Sequence, residues 1–167
     1  MAHSGSLPPT FKIPHLVLTT HGTWLADGEE ITHERTRQLL FRSIFRQEPH
    51  QDLVIRVGKE QLPFTAEDTA YFILAISGSP EAGFEVKTSE GEWVALDPRT
   101  LKYQTSDPSH RLICTILTHN DGRSEEARFL SAPYHALLMH CEESHAPGSN
   151  TEIRYHLMIQ GKEFVLG

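Results

Sequence analysis

From His15 the pattern of the chain is β. His15-Leu-Val-Leu-Thr-Thr20 is rich in apolar and β-branched residues, which fit a half-buried pleated surface. His21-Gly-Thr-Trp-Leu25 follows, then Ala26-Asp27-Gly28 and Glu29-Glu-Ile31. Asp-Gly between two short apolar stretches predicts a hairpin. Thr32 reads as a helix N-cap, with Glu34 in the first turn opposing the helix dipole. The spacing predicts a helix over 33–47. Leu40 with Ile44 and Phe41 with Phe45 are i,i+4 apolar pairs, and Leu39 widens the stripe. Pro49 ends it. Strands are predicted at Asp52–Val57 and Gln61–Thr65, and a third apolar segment, Ala70–Ser77, stops at Gly78-Ser-Pro80.

The second half puts strands first: Gly83–Thr88, a turn at Ser89-Glu-Gly91, then Glu92–Leu96. Asp97-Pro98 breaks the pattern, Leu101–Gln104 pairs briefly, and Arg111–His119 is a strong β-branched strand closed by Asn120-Asp-Gly122. Ser131 with Pro133 reads as an N-cap and an early-turn proline. Tyr134, Leu137, Leu138 and Cys141 then share one helix face. Glu152–Gln160 and Glu163–Leu166 close as a hairpin over Gly161-Lys162. Gly22-Thr-Trp24 and Gly91-Glu-Trp93 echo each other at the start of apolar stretches. Either the halves are a diverged duplication or the motif recurs by chance in β turns. The organisation expected is a flexible leader (1–14), an N-terminal helix-plus-strand lobe (15–80) and a C-terminal strand-rich lobe with one helix (81–167).

Length and charge narrow the function classes. The 167 residues carry 15 Lys+Arg against 22 Asp+Glu, a formal charge of −7. Such a chain is a poor partner for duplex DNA, where phosphate neutralisation supplies most of the affinity. No apolar run approaches the roughly 20 residues of a membrane helix, and residues 1–14 lack the basic and apolar regions of a signal peptide. Two distant cysteines, Cys114 and Cys141, are no disulfide framework; they read as partly buried thiols acting as small apolar side chains. A cytoplasmic protein is the simplest reading.

The familiar catalytic motifs are missing. His135 and His140 lie five apart, which turns the second ring ~140° from the first on an ideal helix, whereas helical zinc pairs need three or four. No G-x-S-x-G, G-x-G-x-x-G or Walker loop occurs, so no cofactor is implied. Basic clustering is more informative. On a helix, Arg35, Arg42 and Arg46 would share one face, with Arg37 on the same segment and Arg56 and Lys59 following. Guanidinium forks suit phosphate or carboxylate, although a solvated outer face gives the same pattern. Glu67-Asp68 between apolar stretches either pairs with these arginines or marks an exposed turn.

The ordered features resemble bacterial Domain-of-Unknown-Function family 1285. They are Gly22-x-Trp24, Gly28-x-x-Ile31, an Arg-rich helix with Leu-Phe-x-Ser-x-x-Arg, Val57 near Lys59, Glu67-Asp68-Thr-Ala-Tyr-Phe72, and Ala127-Arg128-Phe-x-x-x-Pro-Tyr134. The family typically reads G-x-W, G-x-P-I, R-x-x-L-V-R-L-F-A-S-x-L-R, P-V-E-K, V-E-D-A-P-F and A-R-I-x-R-x-V-F-Y-x-L-V. The resemblance spans residues 16–166. This chain departs at Val57-Gly-Lys59-Glu60 and at Asp97-Pro-Arg99, where the family has P-V-E-K and H-P-L-R. A mitochondrial uncharacterised family shares a similar layout.

The resemblance implies an α+β fold of two related lobes with duplicated motifs, each one helix on antiparallel strands, the C-terminal lobe like a pleckstrin-homology barrel. It also implies a ligand cleft between the lobes, a nucleotide-like ligand and a signalling role, with no established catalysis. Trp24, Arg37, Arg42, Arg46, Lys59, Glu67, Asp68 and Arg128 are the matched positions. The expectation is a non-enzymatic module binding a small anionic ligand through Arg35, Arg42, Arg46 and Lys59, with Glu67 and Asp68 orienting the basic groups. Alternatives are a metal-dependent hydrolase using His119, His135 or His140, and a protein–protein adaptor.

Overall fold

The computed structural model describes residues 13–104, 111–145, 147–148 and 153–166. The expected leader falls largely outside them. Strands β1 (Leu16–Leu18), β2 (Trp24–Ala26) and β3 (Glu29–Glu30) precede helix α1 (Glu34–Arg42), and β4 (Ile44–Gln47), β5 (Asp52–Val57) and β6 (Glu60–Ala66) follow it. They form one six-stranded sheet in the order β3-β2-β1-β6-β5-β4. Then come β7 (Tyr71–Ser79), β8 (Gly83–Thr88), β9 (Trp93–Ala95), a 3₁₀ turn at Pro98–Thr100, β10 (Lys102–Gln104), β11 (Arg111–Leu117) and β12 (Ser124–Phe129). Their sheet runs β10-β11-β12-β7-β8-β9. Helix α2 (Ser131–Leu138) leads to a three-stranded sheet of β13 (Cys141–His145), β14 (Ile153–Ile159) and β15 (Lys162–Leu166).

The two large sheets have the same topology. In each, the unit's first and last strands pair in parallel at the centre, β1 with β6 and β7 with β12, and all other pairs are antiparallel. Even the next amide matches: Glu67 N–H donates to the Leu18 carbonyl at 2.9 Å, and Leu130 N–H to that of Ile73 at 3.1 Å. The α+β architecture of two related lobes is therefore present. The Gly-x-Trp echo does not mark it, because Gly22-Thr-Trp24 turns the first strand into the second, while Gly91-Glu-Trp93 turns the second into the third.

Several local expectations need correction. The first helix ends at Arg42 rather than at 47. Its C-cap is Ser43, whose N–H bonds back to the Leu40 carbonyl, and Ile44 and Phe45 pair instead with Ile55 and Val54. Aromatic and β-branched residues at those positions gain more from a sheet partner than from another helical turn. The N-cap is His33, whose ring accepts from Thr36 N–H, not Thr32. Leu130 occupies the N-cap of α2, with Ser131 the first helical residue. That helix stops before Cys141, which opens β13, so His140 is not helical. Strands β12 and β13 were not anticipated.

One continuous core joins the units. Phe41 of α1 packs edge-on against Trp24 of the first sheet (centroids 5.5 Å apart) and Phe72 of the second (6.4 Å). The ring of Phe72 lies 3.3 Å from where a Cβ on Gly22 would stand, and Gly22 has φ +75°. Glycine there permits both the left-handed turn and the close approach.

Candidate functional site

A cleft of about 440 Å³ opens where the two sheets meet, lined by Arg46 and Leu53 of β4–β5, by Ala66 and the link 68–71, and by Gln104, Arg111, Ile113, Glu125, Glu126 and Arg128 of the second sheet. Strand alternation sets its wall. On β12, Ala127 and Phe129 are buried in the core, so Arg128 projects to the opposite face.

Asp68 organises the site. Its Oδ2 accepts from Arg128 Nη1 at 2.7 Å, and its Oδ1 from Arg111 Nη1. One carboxylate thus holds two guanidiniums side by side, all three groups being mostly buried. The third arginine, Arg46, forks onto Glu125, with Nη2 to Oε2 at 2.7 Å and Nε to Oε1, and Nη1 also reaches the Gln51 carbonyl at 3.0 Å. The hydrogen bond to Glu125 holds the Arg46 pKa above its ordinary value. Glu126 completes the rim, paired with Lys102 at 2.9 Å. Burial pushes the Tyr71 phenol well above the usual range, so it stays protonated at the cleft wall.

Of the anticipated residues, Arg46, Asp68 and Arg128 converge here. The helical face joining Arg35, Arg42 and Arg46 does not exist, because Arg46 is on a strand. Arg35 is exposed on α1, and Arg42 donates through Nε to the Glu90 carbonyl at 2.7 Å. Arg37 pairs with Glu34. Lys59 is exposed at the β5–β6 turn, and Glu67 accepts from Thr20 N–H at 3.0 Å. Trp24 is fully buried between Phe41 and Phe64, its Nε1 without a hydrogen-bond partner; it is a core residue. Arg111 and Glu125 were missed as site residues; the alternation of Ala127, Arg128 and Phe129 marks a strand but singles out neither of them.

The histidines of the metal alternative keep separate company. His119 pairs with Glu92 at 2.6 Å, His135 packs on Tyr134, and His140 on Phe84. Among the described residues, no three His, Cys, Asp or Glu side chains cluster as a metal site requires. Cys114 and Cys141 are free, and burial pushes their thiols to about 12 and about 11, as unreactive packing residues. A larger recess of about 670 Å³ lies between the β7–β8 hairpin and the third sheet, but its Arg99 folds back onto Asp97.

Two solved structures share this architecture. A DUF1285 family protein from Silicibacter pomeroyi DSS-3 aligns over 90% of this chain and 78% of its own, with a TM-score of 0.64 and 14% identity. This chain has the DUF1285 fold. A second DUF1285 family protein, from Shewanella baltica OS155, covers 74% of this chain and 90% of its own at 16% identity and a TM-score of 0.52. No family model and no curated protein matches the chain. The motif order that resembles this family therefore coincides with the DUF1285 fold. In this chain the arginine–carboxylate cleft occupies the joint between the two sheets. No described helix is long and apolar enough to cross a membrane.

Proposed function

We propose that this chain is a cytoplasmic binding module whose inter-sheet cleft takes a small ligand with an anionic group, such as a nucleotide. The observation that carries this is the Asp68 trio, which fixes two guanidiniums in one partly enclosed space. Fixed guanidinium forks bind phosphate or carboxylate with little further ordering cost. The cleft also presents Glu125 and Glu126. A ligand combining one anionic group with hydroxyl or amino donors therefore suits it better than a bare polyanion. On this reading the chain would act as a signalling sensor whose two sheet units, β1–β6 and β7–β12, close on the ligand.

Thermal shift against nucleotides, second messengers and simple phosphate or carboxylate anions tests it. A ligand at a hundred times its Kd adds about 2.7 kcal/mol. Arg128→Ala and Arg46→Ala should remove that gain, and Arg35→Ala should keep it. No stabilisation by any compound, or equal stabilisation of all three variants, counts against the reading. The adaptor alternative draws on Trp93, 47% exposed on the edge strand β9. It gains ground if Trp93→Ser abolishes capture of a protein partner while the cleft variants do not.

A further inference from the structure

The third sheet carries a hydrogen-bonded relay that lies apart from the cleft. Ser144 Oγ stands 2.6 Å from His156 Nε2, and His156 Nδ1 stands 2.8 Å from Glu163 Oε1. Register explains the alignment. His156 on the central strand is opposite Glu142 and Val165, so Ser144 on β13 and Glu163 on β15 sit diagonally to either side of it. Diagonal neighbours on one sheet face are within reach of long side chains. The opposite face is locked into the core by Leu157, Ile159 and Leu166, which makes the relay's support rigid. With Glu163 ionised and the ring neutral, Nδ1–H donates to Glu163 and Nε2 accepts from the Ser144 hydroxyl. That is the arrangement in which a histidine serves as general base to a serine and a carboxylate holds its tautomer.

We propose that Ser144, His156 and Glu163 form an acyl-transfer site for small activated esters with a short apolar acyl group. Met158, opposite Glu163, and Val165, opposite His156, share the relay's face and are 45% and 49% exposed, offering the acyl chain an apolar contact. Ser144 Oγ bonds to the ester carbonyl carbon as its proton passes to His156 Nε2. The carbon–oxygen bond to the leaving alkoxide breaks, and the alkoxide takes that proton. Water then attacks the acyl-serine and gives a proton to His156, which returns it to Ser144 as the carboxylic acid departs. Glu163 is a positioning residue throughout.

The test uses the full chain with a fluorophosphonate probe and with p-nitrophenyl acetate. Peptide mass spectrometry should place a stoichiometric adduct on Ser144. His156→Gln should slow its formation at least about 100-fold, within the range a positioned base contributes. Glu163→Gln should slow it less and shift its pH profile. Absence of an adduct on Ser144, or an unchanged rate in His156→Gln, overturns the proposal. Labelling of the unmodified chain decides the matter even if a variant misfolds.

Discussion

Replacing Asp68 with Asn keeps the shape of the trio and removes its only negative charge. Arg111 and Arg128 would then face each other across a neutral amide in mostly buried positions. Exposed ion pairs contribute about 0–1 kcal/mol, and stripping one partner from a fully buried pair costs about 3–5 kcal/mol. Side-chain exposures of 23%, 14% and 17% for Arg111, Asp68 and Arg128 place this site between those limits. The expected loss is about 2 kcal/mol. For a chain of this size that lowers Tm by about 4–8 °C. The assay is thermal and urea denaturation, with Lys102→Gln as control. Lys102 and Glu126 are 61% and 57% exposed, so that pair should matter by less than about 0.5 kcal/mol. Phosphate should restore Asp68→Asn more than it stabilises the parent, because an anion can take the carboxylate's place between the guanidiniums. If Asp68→Asn melts within a degree of the parent, the carboxylate does not organise the cleft and the reasoning fails.

Other consequences are equally direct. Glu90 is 2% exposed, its oxygens accept from His119 N–H at 3.2 and 3.1 Å, and burial raises its pKa despite His119 and Arg42 nearby, with Glu92 adding to the rise. A raised folded pKa means that this group's stabilisation is full below the unfolded value of about 4.3 and is lost as pH climbs through the folded one. Glu90→Gln should therefore melt higher than the parent at pH 8 and converge with it near pH 4; a lower Tm at pH 8 would contradict this. Trp24→Ala should cost about 3–5 kcal/mol, the range for emptying a large core site. Acrylamide should quench Trp93 and spare Trp24, read with a Trp93→Phe variant, and equal quenching would show that Trp24 is not enclosed. Gly78 has φ +114°, and a Cβ there would collide with the Gly83 carbonyl oxygen. Gly78→Ala should thus cost more than about 1 kcal/mol in urea denaturation.

Where local pattern and tertiary context agreed, the sequence was readable. Asp52–Val57 and Gly83–Thr88 emerged with their boundaries intact, because β-branched residues and flanking turns pointed the same way. The 33–47 segment misled because Leu40, Phe41, Ile44 and Phe45 satisfy a helical period and also the core demands of a helix followed by a strand. Only pairing with β5 decides between them. The site suffered most from that ambiguity. Asp68 and Arg128 were identifiable from their motifs. Arg46 was named correctly for the wrong geometry, since it enters the cleft from a strand toward Glu125. Arg111 offered no local signal: it opens a strand 43 residues from the carboxylate it binds.

The duplicated topology explains why charge collects where it does. The central parallel pairs align Ala66 with Phe129 and Glu67 with Leu130 as equivalent positions. Asp68 is then the counterpart of Ser131. After Phe129 the chain has room to wind into α2, which packs beside β7 and β12. After Ala66 it must instead start the next sheet within residues 67–70, so among the described residues no helix covers that end of the first sheet. The exposed joint is bordered by the start of β11 and the end of β12, and these strands place Arg111 and Arg128 against Asp68. A position that a helix fills in one repeat is thus filled in the other by an arginine–carboxylate cluster. The cleft belongs to the joint, and neither unit alone would contain it.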